Sequence, residues 1–283
     1  MAPSEIQHPS PQSDGADDTD LPEGLDRSKP NAARLYNGYL GGQRIRQADR
    51  EFLARVEKMF PNSAVNAGEN RKALLRGVRW AVSQGPAQVI DLGAGVPSHP
   101  SIHSAARSVN PETRVVYVDH EAVACYEIQH SIEGEAGLGS VRADIRDVDA
   151  VLNDEVTTRL LDPAQPMVLV IGALLHFVPD EQDPAALLAA YRDAVAPGSY
   201  LVITHGTAEL GQEHDMRTLA GMYRNELNIP VTYRGRDELA MLLDGYTMVE
   251  EGIVPVPLLL PDPEDPFDGD PWKSLMYGMI ART

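Results

Sequence analysis

The chain has 283 residues, 43% of them hydrophobic and 23% charged. That composition excludes a wholly disordered chain, a coiled coil and a collagen-like fibre. Lys and Arg number 24 against 42 Asp and Glu, a formal charge of -18, and no basic stripe is present to neutralise phosphates, so a nucleic-acid partner is not expected.

Much of the acidity sits in two places. Residues 1–26 carry seven acids (Glu5, Asp14, Asp17, Asp18, Asp20, Glu23, Asp26) and no Lys or Arg. Their Pro, Ser, Gln and Gly content leaves too little apolar surface to offset ordering entropy, which predicts a disordered acidic tail. Asn31–Leu40 then reads as a short helix stopped by Gly41-Gly42. Ala48, Phe52, Leu53, Val56, Met59 and Phe60 share one face of a second helix, ended by Pro61. A third runs from about Ser63 to Gln84, with Leu74, Leu75 and Val78 as its stripe. Residues 27–85 are thus expected to form a helical extension, or lid, ahead of an α/β domain over 86–283.

Five short apolar runs follow: Ala87–Asp91, Arg114–Asp119, Ser140–Asp144, Met167–Ile171 and Ser199–Thr204. Helical stretches separate them, for instance Pro184–Val195. Continuous apolar strands alternating with helices indicate a parallel sheet covered on both faces. Tyr246–Val254 and Ser274–Ala281 lack an intervening helix, which predicts an antiparallel pair at one edge. The second acidic cluster lies in the Pro/Asp-rich connection between them, with five acids over residues 261–271. The expected fold is a doubly wound, mostly parallel seven-stranded sheet with an antiparallel C-terminal strand. The single cysteine, Cys125, allows no intrachain disulfide and no CxxC metal site, and suits a reducing cytoplasm. The N-terminus has no basic-then-apolar leader. The longest apolar run, Met167–Val178, is too short to span a bilayer, so a cytoplasmic protein without a membrane partner is expected.

The chemistry points to the strand tips. Gly93 and Gly95, in the turn after the first strand, let backbone pass close to a ligand. Asp119 ends the second strand, where such folds accept hydrogen bonds from a ribose diol; a helix N-cap is an equally simple role for it. Together they favour an adenosine-containing ligand. Asp144, at the third strand's end, can accept an adenine amine or cap a helix. His176 and His205 follow strands four and five as candidate general bases, or as buried imidazoles bonded to backbone. His99 and His103 are four apart, but Pro100 stands where a zinc protease needs Glu, so no metal is expected. There is no GxSxG and no Walker motif. Ser98 occupies the third glycine position of GxGxxG, which weakens a nicotinamide or flavin reading.

Taken together, these segments resemble a class I S-adenosylmethionine-dependent methyltransferase of Rossmann-like fold. They are most similar to the actinobacterial S-adenosyl methyltransferase family, formerly a domain of unknown function. The similarity is carried by Ser28–Tyr36, Tyr39–Gly42, Ala48–Arg50, Asn70-Arg71, Asp91–Pro97, His103, Val116–Asp119, Ala143–Asp147, Leu175–Pro179, Ala196–Val202 and Val254–Leu258. It implies S-adenosylmethionine as cofactor. Gly93 and Gly95 would pass under its methionine part, Asp119 would hold its ribose hydroxyls, Asp144 and the Ile145 backbone would meet its adenine, and Ala173 and Leu174 would line the floor near the sulfonium; Asp91, Ala94 and His120 would also bind the cofactor. Arg34, Tyr36, Gly41 and Gly42 would close over it as a lid. His176 would act as base or as acceptor orienter. The acceptor is expected to be a small molecule; the oligomeric state stays open. Gln43-Arg-Ile-Arg46 departs from the family's usual Lys-Asp-Asn-aromatic run. That departure keeps a second reading open, a cofactor-binding sensor or partner subunit without transferase activity.

Overall fold

A computed structural model describes residues 29–210, 213–249 and 252–283. The expected acidic tail over 1–26 lies outside these residues.

Five parallel strands form where β-branched and apolar residues run together: β1 (Gln88–Leu92), β2 (Arg114–Asp119), β3 (Leu138–Arg142), β4 (Val168–Gly172) and β5 (Tyr200–Gly206). Successive residues of a strand face opposite sides of the sheet. Val89, Val115, Val168 and Val202 therefore pack on one side, and Ile90, Val116, Leu169 and Leu201 on the other. Both sides are covered, so the runs need no polar alternation.

Three helices precede the sheet: α1 (Ala32–Tyr39), α2 (Gln47–Met59) and α3 (Ser63–Ser83). The connections between strands carry α4 (Ile102–Arg107), α5 (Ala122–Ser131), α6 (Val148–Leu152), α7 (Glu155–Leu160) and α8 (Pro184–Ala194), and after β5 come α9 (Glu213–Met222) and α10 (Arg236–Leu242). One face of the sheet is covered by α3, α4 and α5, the other by α6, α8 and α10. The chain ends in two short strands, β6 (Thr247–Met248) and β7 (Val254–Pro255), and the long β8 (Met276–Arg282). The order is β3-β2-β1-β4-β5-β8-β6, with β7 also pairing β8. β8 runs antiparallel to β5, β6 and β7.

The expected outer strand over 246–254 is therefore interrupted. Met248 faces Ala281 and Val254 faces Gly278, so five intervening residues on one side are set against two on the other. Counted as one broken edge strand, β6 and β7 give the expected seven positions.

The packing also divides the N-terminal region differently from the 27–85 extension. Leu74, Leu75, Val78 and Ala81 of α3 are core residues of the sheet. A Cβ on Gly77 would stand 2.7 Å from Val202 Cγ1, so glycine sets how closely α3 approaches β5. Only α1 and α2 form a separate cap. Leu35, Phe52, Val56 and Phe60 pack there with Met216, Leu219, Tyr223 and Val231. The Pro/Asp-rich loop is fastened to α3. Arg76 donates to the carbonyls of Leu259 (3.0 Å) and Val256 (3.1 Å), and Lys72 pairs with Asp265 at 2.7 Å. No helix among the described residues is long and apolar enough to cross a membrane.

Candidate active site

The C-terminal tips of β1, β2, β4 and β5 and the α1–α2 cap enclose a cavity of about 400 Å³. Its floor is the turn after β1. Gly93 and Gly95 have φ of +74° and +65°, conformations that cost an L side chain roughly 1–2 kcal/mol. The turn hangs from β2: the N–H groups of Gly93 and Ala94 donate to Val118 O at 2.8 and 3.0 Å. Gly95 N–H donates to Asp119 Oδ2 at 2.8 Å, while Asp119 Oδ1 accepts Glu121 N–H at 2.9 Å. The Asp119 carboxylate is thus a fixed edge of the cavity. His120, its exposed neighbour, lies on the rim, with Nδ1 3.8 Å from Asp119 Oδ1.

Asp91 and Arg71 line the cavity together. Asp91 is buried, and desolvation pushes its carboxyl up to about 7, opposed by the nearby Arg71 charge. Arg71 is aimed from α3 by two hydrogen bonds to Pro100 O, at 2.6 and 3.2 Å. Beside them, Tyr36 reaches in from α1 and accepts Asn70 Nδ2 at 2.6 Å. Among the described residues, the buried Asn70 Oδ1 has no hydrogen-bond partner.

The opposite wall carries Asp144 and Ile145. Arg146 folds back on Asp144, with Nε 2.9 Å from Oδ1 and 3.0 Å from Oδ2, and holds that carboxyl below its ordinary range. Arg146 Nη1 also donates to Gln182 Oε1 at 2.8 Å. Arg146 stands inside the family segment Ala143–Asp147, but Gln182 carries no sequence signal, because their meeting depends on the β3–α6 turn reaching the segment before α8.

The loop after β4 joins the two ends. Ala173 has φ +51°, a strained conformation for a residue with a side chain. It is held by Thr204 O (3.1 Å) and Thr204 Oγ1 (3.0 Å), both accepting its N–H. Ala173 and Leu174 line the cavity midway, then His176 and Phe177. Gly206 N–H donates to His176 Nδ1 at 3.3 Å, so the neutral ring carries its proton on Nε2. Burial and the Arg234 charge lower its pKa to about 3. His176 is therefore a hydrogen-bond donor held neutral, and the base role expected of it does not fit this geometry. Beyond it, Tyr39, Phe177, Tyr223 and Tyr233 stand among Val56, Phe60, Met216, Leu219 and Val231.

Other expected residues are turned elsewhere. Arg34 does not line the cavity. Its Nε donates to the buried Asp49 Oδ2 at 2.6 Å, and Asp49 also accepts the N–H groups of Asn31 (2.9 Å) and Arg46 (2.8 Å). That carboxylate ties the start of α1 to the start of α2. Gly41 and Gly42 close α1, donating to Gly38 O (3.0 Å) and Asn37 O (2.9 Å), and are not in the cavity wall. Nor are residues 43–46: Arg44 pairs with Glu127 of α5. His205 is buried, with Nδ1 2.7 Å from Gly206 O and Nε2 3.2 Å from Arg234 Nη1. It is the backbone-bonded imidazole, with no free nitrogen for proton transfer. His103 Nδ1 meets Tyr117 Oη at 2.7 Å.

Similarity to known proteins agrees with this geometry. The family model described as S-adenosyl methyltransferase matches residues 18–283. A structure from Thermobifida fusca YX, named as a candidate methyltransferase, shares 34% identity, covering 93% of this chain and 98% of that one, with a TM-score of 0.85. A DUF574-family protein from Streptomyces avermitilis MA-4680 shares 31% identity over 91% of this chain and 99% of that one, with a TM-score of 0.86. A search of curated proteins gave no match. The glycine turn, the strand-tip carboxylates and the match over nearly the whole length lead to one conclusion: the chain belongs to the S-adenosyl methyltransferase family and is an S-adenosylmethionine-dependent methyltransferase.

Proposed function

We propose that the chain transfers the methyl group in line to a small-molecule acceptor bound at the aromatic end of the cavity. The observation that carries this reading is the continuity of the cavity. A charged end built on the strand tips meets an uncharged aromatic end at Ala173–Phe177. A cavity of about 400 Å³ is within the range of small-molecule sites.

The residues present fit S-adenosylmethionine. A Cβ on Gly95 would face Ala33 Cβ at 3.8 Å, and both residues line the cavity; a side chain there would fill the space between turn and cap. Asp119 would accept the ribose hydroxyls. Asp144 and the Ile145 backbone would meet the adenine. Asp91 would face the α-ammonium and Arg71 the α-carboxylate. The cofactor supplies a methyl group already activated by a positively charged sulfur. What remains for the protein is to align donor and acceptor and to exclude water. The Ala173 turn and the apolar Leu174 side chain shape the junction. His176 Nε2–H offers a donor that can orient an acceptor without removing a proton from it.

Calorimetric titration with S-adenosylmethionine and S-adenosylhomocysteine, with NAD as control, tests the donor site. Micromolar binding of the first two alone is expected. NAD binding, or no binding of either by folded protein, refutes the assignment.

A further inference from the structure

Every Asp, Glu, Lys or Arg that lines the cavity lies at its cofactor end: Arg71, Asp91, Asp119, Glu121, Asp144 and Arg146. Among the described residues, none lines the other end. The difference points to the chemistry of the acceptor, an inference that rests on the methyl-transfer reading above. We infer that the aromatic end takes an uncharged, flat aromatic molecule that presents an unprotonated ring nitrogen to the methyl donor.

The shape of the chamber follows from its rings. Tyr223 is fixed edge-on against Phe52, centroids 5.3 Å apart, and lies 5.7 Å from Phe177 at an interplanar angle of 33°. His176 and Tyr233 form a second tilted pair, 6.3 Å apart at 33°. Gly206 makes room for Tyr233, since a Cβ there would stand 2.9 Å from Tyr233 Cε1. Rings held in place by their neighbours offer faces to a flat ligand at little entropic cost. A carboxylate or phosphate on the acceptor would be desolvated here, with no cation among the described residues that line this end to meet it.

The choice of nitrogen follows from the groups that could move a proton. The titratable side chains facing the chamber are Tyr39 from α1, His176 after β4, Tyr223 after α9 and Tyr233 before α10. Burial raises all three phenols, Tyr223 to about 12, and keeps them protonated. His176 has its Nδ1 occupied by Gly206 N–H. A phenol or alcohol would need a base that this end does not provide. A ring nitrogen needs none. Its lone pair forms the new N–C bond as the C–S bond breaks, and the C–S electron pair leaves with the thioether. The positive charge passes from sulfur to nitrogen, and no proton moves. Aromatic faces favour a cation at that position.

The test uses the full chain saturated with S-adenosylhomocysteine for binding, and S-adenosylmethionine for turnover. The probes are isoquinoline, isoquinoline-5-carboxylate and 2-naphthol. Isoquinoline is expected to bind at least tenfold more tightly than its carboxylate and to yield N-methylisoquinolinium by mass spectrometry, with no methylated naphthol. Tyr223→Leu should weaken isoquinoline at least fivefold and leave S-adenosylhomocysteine affinity within twofold. The wild-type probe comparison decides the matter by itself if that variant does not fold. Equal binding of isoquinoline and its carboxylate, or methylation of naphthol but not isoquinoline, overturns the inference while the donor site stands. Failure of folded wild-type protein to bind S-adenosylhomocysteine overturns the methyl-transfer reading, and this inference with it.

Discussion

At the cofactor end of the cavity, most groups lie within three residues of a strand tip: Gly93 and Gly95 after β1, Asp119 closing β2, Asp144 just after β3, Ala173 just after β4. At the aromatic end the walls come from Tyr39 on α1, Val56 on α2, Met216 and Leu219 on α9, and Val231 and Tyr233 on the segment before α10. The first end is positioned by backbone hydrogen bonds between adjacent strands. The second is positioned by side chains packing across long stretches of sequence. A polar site fixed by the backbone can be kept while the apolar end is rebuilt for another acceptor, because the two share little beyond α1 and the loop after β4.

The most disruptive test of this contrast strikes the frame of the cap. Arg34→Ala strands the Asp49 carboxylate, which is fully buried. Breaking a buried pair from one side costs about 3–5 kcal/mol, and urea denaturation should show it. An unchanged midpoint would mean that Arg34 serves the ligand rather than the fold.

Asp119→Ala removes the carboxylate proposed to accept the ribose hydroxyls and releases the Gly95 N–H. It should weaken S-adenosylhomocysteine binding by about 1.5–3 kcal/mol, the scale of hydrogen bonds to a charged group, measured by calorimetry. A folded variant with wild-type affinity would dissolve the assignment of that carboxylate.

Asp91 links the cofactor end to pH. Its folded pKa of about 7 lies above the ordinary 3.8. Its contribution to stability is therefore full below about pH 3.8 and is lost as pH rises through about 7. A bound ammonium favours the carboxylate, so binding below pH 7 releases a proton. Affinity should rise with pH between 5.5 and 7, by at most about tenfold per unit, and then level off. Titrations across that range, with Asp91→Asn as reference, check this; identical slopes for the two proteins would remove Asp91 from the site.

The smallest expected effect lies at the Lys72–Asp265 pair, exposed on both sides. Asp265→Ala should cost less than about 1 kcal/mol and leave cofactor affinity unchanged. A larger loss would show that the acidic loop braces α3 and, through it, Arg71.

The polar end was largely legible beforehand. A glycine turn after an apolar run, and acids at two later strand tips, are local patterns whose spacing follows from the βα repeat. Arg71 stood inside a family segment, but nothing in its spacing revealed that α3 would set it beside Asp91. Arg34 looked like a lid residue because its partner, Asp49, lies across a turn between two helices. His176 stood inside a family segment and His205 did not, but as residue types after successive strands either could be a base or a backbone-bonded imidazole. Only the Gly206 N–H at one ring and the Gly206 carbonyl at the other separate a donor facing the cavity from an imidazole buried in structure.

The order of strands and helices, the parallel sheet with its reversed last strand, and the placing of Gly93, Gly95, Asp119 and Asp144 at strand tips were set by the amino-acid sequence on its own. They rest on periodicity, turn residues and the rule that crossovers bring successive strand ends to one edge. The tertiary structure alone decided that α3 belongs to the sheet rather than to the lid, and that an uncharged aromatic chamber lies beside the cofactor end. Those outcomes depend on side chains far apart in sequence meeting in a close-packed interior, where shape rather than local pattern chooses the neighbour.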